Sequence, residues 1–414
     1  MDVLIERCAG LDIGKKDLKA CVRRPGSRTG RRESEVRTFA TTTRGLLALS
    51  AWLTTEQVSV VGMESTGDYW KPVFYLLEGT VETQLLNARH IRNVPGRKTD
   101  VTDAMWIAQL VEHGLIRPSF VPPPPIRRLR DLTRYRASLV HERTREAQRL
   151  EKLLEDAGLK LSTVISDVLG ASGRAMLAAL ITGERDPQIL AGLGDRRLRA
   201  TPATLAEALH GNFTAHHATL ARVMLTHIDQ LTEAVAALDG EVDREMAPFT
   251  AERDRLDTIP GVSRRAAEVL IAELGVDMDR FPTPGHLASW AGMCPGNNES
   301  AGKHHSGRTR KGDPWLRGIL GEVAMTAARD RNSHLGARYR RLATRRGKKR
   351  ALVAIGHAVL SAAWQMLTTG TDFTDRGPDQ DLRQTTNPAR RAAQLLSQLH
   401  GLGFNAILEP ITAT

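Results

Sequence analysis

The sequence predicts an α/β domain with a mixed sheet at the N-terminal end, followed by a longer all-α region. Three observations carry that expectation. Up to residue 121, short apolar segments alternate in type between strand and helix patterns. Residues 122–125 are then four consecutive prolines, which neither a helix interior nor a central strand accommodates. Beyond them the apolar spacing is helical almost throughout, and 414 residues are enough for two or three domains.

Leu4 to Ile13, Leu18 to Arg23 and Glu35 to Thr41 read as three successive strands joined by polar or glycine-bearing turns. Arg44 to Leu53 carries Leu46, Leu47, Leu49, Ala51 and Leu53 and reads as a helix. Val58 to Met63 is β-branched and short, as a buried strand would be. Asp68 to Glu78 is a second helix, Thr83 to Asn87 another strand, and Asp100 to His113 a third helix. Three strands followed by alternating helix and strand imply one mixed sheet with helices layered on it, spanning 1–121.

From 127 to 157 a charged helical pattern bears a thin stripe of Leu129, Leu132, Leu139, Ala147, Leu150 and Leu154. A second such helix, about 216–246, places Met224, Ile228, Leu231, Val235, Leu238 and Val242 at alternating spacings of four and three, a heptad seam. Two narrow-striped helices suggest either an antiparallel hairpin or a coiled coil between chains, with 158–215 as a small helical insert. This region, 126–250, is read as a helical coiled-coil and dimerisation region. Residues 251–370 form a further helical unit. The tail, 371–414, is polar and turn-rich, with one short helix from about Ala389 to Leu399.

Composition excludes several classes. Hydrophobic residues at 41% and charged residues at 25% are ordinary for a folded protein. Cys8, Cys21 and Cys294 are too few and too widely spaced for a disulfide framework or a cysteine zinc site. No apolar run approaches membrane-spanning length, and MDVLIERCAGLDIG lacks a signal-peptide layout, so a cytoplasmic, nucleoid-associated protein without a membrane partner is expected. The net charge is +11, and it is concentrated: Lys303 to Arg350 holds fifteen Lys and Arg against three acids. Such a segment suits phosphate neutralisation. Lys303, Arg308, Arg310, Lys311, Arg317, Arg340, Arg341, Lys348, Lys349 and Arg350 are its candidate backbone-binding groups.

Four carboxylates stand out by position. Asp12 ends the first strand in GLDIGKKD, and Glu64 ends another in VVGMESTGDYW. Asp100 and Asp103 open a helix in KTDVTDAMWIAQL, three apart and so on one face. Acids at strand ends and at a helix start can converge at one edge of an α/β sheet. Their hard oxygens suit Mg²⁺, with Mn²⁺ as an alternative, and paired ions of this kind support phosphodiester transfer.

With that order of acids, LDIGKKDL, MESTGDYW and KTDVTDAMWIAQL resemble the insertion-sequence one-ten (IS-one-ten) family of DEDD transposases, whose N-terminal domain has a RuvC-like RNase H fold. The resemblance extends over most of 5–120 and 255–370. It implies that Asp12, Glu64, Asp100 and Asp103 bind the divalent ion and are catalytic. In the C-terminal unit, Leu256 to Leu274 (LDTIPGVSRRAAEVLIAEL) has a helix-hairpin-helix layout, with Gly261 at the turn and free N–H groups after it that could hold a phosphate; a plain packing corner is the alternative. The family pattern of a serine, a basic stretch and Lys-Gly-x-x-x-Leu-Arg aligns Ser300 in ESAGK with the serine and Lys311, Gly312, Leu316 and Arg317 with the rest. Ser306 in HSGRTRKG competes for the role.

The family implies that this serine attacks DNA and becomes joined to it, and that an element-encoded guide RNA pairs with donor and target DNA. Assembly as a homodimer or homotetramer is expected. His304 and His305 lack the spaced partners of a zinc site, and His357, within the apolar stretch Ala351 to Leu367, reads as a packed core histidine. The alternatives are a Holliday-junction nuclease using the same acids with water as nucleophile, and a non-catalytic nucleic-acid scaffold.

Overall fold

The computed structural model describes residues 2–26, 31–65, 67–87, 100–115, 118–295, 299–300, 303–304, 309, 311–375, 377–378 and 388–407. The chain divides into two units, residues 1–122 and 123–414.

In the first unit, strands β1 (Cys8–Ile13), β2 (Asp17–Pro25), β3 (Arg32–Ala40), β4 (Val60–Glu64) and β5 (Glu82–Leu86) form one sheet in the order β3-β2-β1-β4-β5. The β1–β2 and β2–β3 pairs are antiparallel, and β1–β4 and β4–β5 are parallel, so the sheet is mixed as expected. The first strand starts at Cys8 rather than at Leu4. The N–H groups of Leu4 and Ile5 go instead to the carbonyl of Glu112. Helices α1 (Thr43–Thr55) and α2 (Trp70–Leu77) bury Leu49, Leu53, Val73 and Leu77 against Ala9, Leu11, Val61 and Met63 on one face of the sheet.

The other face belongs to α3 (Asp100–Glu112). Strand residues alternate between faces, so Cys8, Gly10 and Asp12 share this side with Val60, Gly62 and Glu64. Cys8, Val60, Ile107 and Val111 form one small cluster here, and Cys21, Ala104 and Ala108 another. At Gly10 the helix and strand meet backbone to backbone. A Cβ on Gly10 would lie 2.3 Å from the Ala108 nitrogen and 2.4 Å from the Ala104 oxygen. On Gly62 it would lie 2.5 Å from the Val111 side chain. The Cys8 thiol donates to the Ala108 carbonyl at 3.4 Å. Burial pushes the Cys8 thiol up to about 12 and the Cys21 thiol up to about 11, so both stay protonated and unreactive.

Glu112 fixes the far end of α3. Its side chain is fully buried and accepts from Arg23 Nε at 2.9 Å and from Arg32 Nε at 2.6 Å. Burial opposes its charge, but the two guanidiniums outweigh that and hold the carboxyl below its ordinary value.

In the second unit, α4 (Pro124–Asp156) and α9 (Ala215–Met246) pair antiparallel within the chain. Arg128 meets Glu245 at 2.9 Å near one end and His217 meets Asp156 at 3.3 Å near the other. Ile228, Leu231, Val235 and Val242 of the heptad seam are buried. Leu139 of α4 packs on Leu231 and Val235, so the hairpin reading describes the seam's contacts. The insert α5 (Leu161–Val164), α6 (Ala171–Thr182), α7 (Pro187–Gly192) and α8 (Pro202–Ala208) builds its own core with Leu150, Leu154 and Ile228 at the tip.

At the foot, Ile126, Leu129, Val242 and Met246 join the core made by α10 (Thr250–Asp257), α11 (Arg264–Leu274), α12 (Pro284–Trp290), α13 (Pro314–Arg329), α14 (His334–Arg346) and α15 (Lys348–Thr369). The short strands β6 (Glu299–Ser300) and β7 (Lys303–His304) precede α13, and α16 (Pro388–Gly401) follows in the tail. Against the expectation of no membrane-length stretch, α15 is long and apolar enough by length and composition to span one, with a mean hydropathy of 1.4. Packing explains its composition: Ala351, Ile355, Val359, Leu360, Ala363 and Met366 are buried in the shared core.

One buried ion cluster ties the hairpin foot to two of these helices. Arg134 of α4 donates to both carboxylate oxygens of Glu273 at 2.7 Å and to Asp313 at 2.7 Å. Asp313 in turn caps α13, accepting from the N–H groups of Trp315 and Leu316. Arg130 donates to the carbonyls of Ala272 and Glu273 at the end of α11, at 3.0 and 2.8 Å. The Glu273 side chain is 1% exposed, and its burial pushes the carboxyl up against the pull of the two arginines.

Four outcomes follow from this packing. Gly10→Ala forces α3 off the sheet and should cost about 3 kcal/mol of unfolding free energy in a urea melt. Gly79→Ala, where a Cβ meets nothing within 4 Å, should stay within about 0.5 kcal/mol. Arg134→Met removes the bidentate partner of the buried Glu273 carboxylate and leaves it Arg130 alone, so it should cost about 3 kcal/mol, with little recovery in Arg134→Lys, because an ammonium cannot make the bidentate contact. Glu112 has a depressed folded value, so its stabilisation is present above the unfolded carboxylate range and is lost as pH falls through the folded value. In urea melts, Glu112→Gln should therefore be weaker than the parent at pH 7, with the gap closing in acid.

Candidate active site and nucleic-acid interface

Asp12 and Glu64 stand at the C-terminal ends of β1 and β4, adjacent parallel strands registered Leu11 to Met63. Both are half-buried and fall on the α3 face of the sheet. Helix α3 runs antiparallel to β1: Glu112 lies beside Leu4 and Ile5, Ala108 beside Cys8, and Ala104 beside Gly10. The next sheet-facing position toward its N-terminus is Asp103, and Asp100 begins the helix three residues earlier, which brings the helix start toward the strand ends that carry Asp12 and Glu64. Asp103 is half-buried. Asp100 is the first helical residue, and its side chain lies outside the described residues.

The donors at this edge are all carboxylate oxygens, the kind that suits Mg²⁺ or Mn²⁺ over softer ions. Among the described residues no group of three or more His, Cys, Asp or Glu stands close enough to hold a metal ion. Asp100, the fourth acid of the set, does not enter that comparison. Sequence reasoning found the acids but passed over Gly10, Gly62 and Glu112, which set how α3 lies. Glycines on one strand face opposite a helix with alanines at 104 and 108 are the signal that could have found them.

In the second unit, Ser300 is the last residue of β6 and pairs with Lys303 of β7, as Glu299 does with His304. The side chains of these four residues lie outside the described set, and Ser306, His305, Arg308 and Arg310 lie outside it altogether. Lys311, Arg317, Lys349 and Arg350 are exposed and line a cleft of about 1330 Å³. Lys348 is exposed at the start of α15. Two of the expected cations serve the fold directly: Arg340 donates to the carbonyl of Arg331 at 2.8 Å, and Arg341 to that of Pro378 at 3.3 Å.

Two cleft residues were not among the candidates. Arg338 was passed over. His357, read as a core histidine, is half-buried and lines the cleft instead. Burial and the charge of Arg338 hold its imidazole below the ordinary range. Gly261 has φ of +89°, and a Cβ there would lie 2.6 Å from the Val323 carbonyl oxygen of α13. Close packing on α13 thus accounts for this glycine without a phosphate. Ser263 caps α11 through the Ala266 N–H, and Arg264 and Arg265 are paired with Asp243 and Glu268.

Known proteins match two separate stretches of the chain. Residues 9–158 match the DEDD transposase model of the IS110 group, and residues 253–340 match the model described as "Transposase IS116/IS110/IS902 family". An uncharacterized 44.8 kDa protein of insertion element IS116 from Streptomyces clavuligerus is 26% identical over 344 residues, covering 73% of this chain and 84% of that one. A 43.6 kDa protein of insertion element IS110 from Streptomyces coelicolor is 32% identical over 126 residues, 30% of each chain. The RuvC structure from Thermus thermophilus shares 13% identity, covers 27% of this chain and 99% of that chain, and gives a TM-score of 0.22. Both halves of the family pattern thus match in order along one chain, and a relative aligns along most of its length, so the protein is similar to the insertion-sequence transposases of the IS110/IS116 group.

Proposed function

We propose that the protein cuts and exchanges DNA strands for an insertion sequence by divalent-ion-dependent phosphodiester transfer through a serine–DNA intermediate. The single observation that supports this reading best is the meeting of two parallel strand ends, carrying Asp12 and Glu64, with the helix start that carries Asp103 and Asp100. These four carboxylates would hold Mg²⁺ or Mn²⁺, which supplies charge neutralisation at phosphorus when bound. Ser300 is the nucleophile in this reading. Its Oγ forms a bond to phosphorus as one ester P–O bond of the strand breaks, and its proton leaves to a carboxylate or to water. The phosphoserine ester keeps the bond energy, so a strand hydroxyl can reverse the step and rejoin DNA without an external energy source.

The cations around Lys311, Arg317, Lys349 and Arg350 would hold the sugar–phosphate backbone and contribute little base selectivity. Sequence choice then falls to an element-encoded guide RNA that pairs with donor and target. Assembly as a homodimer or homotetramer belongs to the same reading, with the acids and the serine supplied by different subunits.

The test is to incubate the protein with end-labelled donor DNA in Mg²⁺ and separate the products on a denaturing gel. A protein-linked strand should form, disappear in Ser300→Ala and persist in Ser306→Ala. Asp12→Ala should lower cleavage by at least about a hundredfold. Cleavage with free ends and no adduct, unchanged in Ser300→Ala, would replace serine by water as the nucleophile. Full activity in Asp12→Ala would overturn the reading, and sequencing the RNA that copurifies tests the guide.

A further inference from the structure

The cleft of the second unit has two kinds of wall. Lys311, Arg317, Arg338, Lys349 and Arg350 bring cations to it from before and within α13, from α14 and from the first turn of α15, and among the described residues no carboxylate lines it. Met293, Val353 and Ala354 make an apolar wall, and His357 lies one helical turn beyond Val353. Five like charges gathered along one cleft repel one another, so the arrangement favours an anionic occupant. At about 1330 Å³ the space exceeds the roughly 300–1,000 Å³ that encloses a drug-sized ligand, which suits a short polymer better than one small anion.

A phosphate-binding face alone needs no apolar wall. A duplex keeps its base faces stacked inward and offers only its phosphates and groove edges, so it leaves Met293, Val353 and Ala354 without a partner. An unpaired nucleotide offers both chemistries, a charged backbone and an apolar base face. We propose that this cleft holds an unpaired stretch of nucleic acid, with its phosphates on the five cations, a base against Met293, Val353 and Ala354, and His357 hydrogen-bonded to the strand. The proposal rests on the nucleic-acid function above and goes beyond it, since it names where a strand is held once it leaves its duplex. DNA and RNA share the required chemistry.

His357 gives the site a pH signature. Burial, with the charge of Arg338 beside it, holds the imidazole below its ordinary range. The charged groups that line the cleft with it are Lys311 and Arg317 from the α13 side, Arg338 from α14, and Lys349 and Arg350 from its own helix. A phosphate entering among them favours the protonated ring. Binding therefore takes up a proton, and affinity rises as pH falls.

The experiment uses the full chain in a chelator, so that strands bind without being cut. Fluorescence anisotropy is measured with oligo-dT and oligo-U of roughly 20 nucleotides and with a blunt duplex of the same length. Ala354→Phe fills the apolar wall and leaves every cation in place. It should weaken binding of the preferred single strand about tenfold and change duplex binding less than about twofold. His357→Gln should flatten the gain in single-strand affinity between pH 7.5 and 5.5; other histidines contribute equally to both proteins and cancel. The two oligonucleotides show which sugar the cleft prefers, and either preference supports the proposal. Equal weakening of single strand and duplex, or no effect of Ala354→Phe on either, overturns it. Should Ala354→Phe not fold, an unchanged pH slope in His357→Gln overturns it instead. The proposal and the transposase reading fail separately, because strand binding in chelator is independent of any serine adduct.

Discussion

The contact between α3 and β1 at Gly10 governs the first unit. A helix normally stands off a sheet by the length of its side chains, yet here Ala104 and Ala108 bring backbone to backbone. That closeness is possible only with no Cβ on the strand and a methyl on the helix. It sets the height of α3, and the buried Glu112 with Arg23 and Arg32 sets its slide along β1. With both fixed, the stripe of Val111, Ala108, Ile107 and Ala104 continues into Asp103, one turn from the helix start at Asp100. The acidic edge is therefore a consequence of small residues and a salt bridge several residues away from it.

Much of this was legible beforehand. The order of strands and helices up to residue 121, and the proline break after it, follow from local apolar spacing, which is the strongest signal in any single sequence. That Asp12 and Glu64 stand at strand ends and Asp100 and Asp103 at a helix start was legible because strand ends and helix starts are local features. What was not legible is what depends on distant pairing. Glu112, Arg23 and Arg32 lie 80 or more residues apart across the contacts they make. The same is true of Arg134 with Glu273 and Asp313, separated by 139 and 179 residues. His357 was misplaced for another reason. Its neighbours Ile355, Gly356, Val359 and Leu360 are core residues, but helical spacing rotates residue 357 onto the other face, toward Lys349, Arg350 and Val353. Arg340 and Arg341 show the converse: charge counts mark a basic segment but do not distinguish a cation offered to a ligand from one already given to a carbonyl.

The heptad seam illustrates how one pattern serves two architectures. Spacings of three and four state that a helix has one narrow apolar face and do not say which chain supplies the other. In this protein α4 and α9 meet each other, and polar contacts from Arg128–Glu245 to Asp156–His217 mark their antiparallel register. Arg134 then anchors the foot of the pair into the helical core through a cluster whose geometry is bidentate, and so directional, where apolar packing alone would tolerate rotation.

The hairpin has a modular consequence. Its two ends lie in separate cores, joined only by the slender stretch around Leu139, Leu231 and Val235. A 33-residue helix at about 1.5 Å per residue makes this arm roughly 50 Å long. Adding seven residues to each helix at its middle would keep the seam in phase and disturb neither end. The arm can thus act as a spacer of adjustable reach, lengthened in whole heptads while the machinery at its base stays as it is.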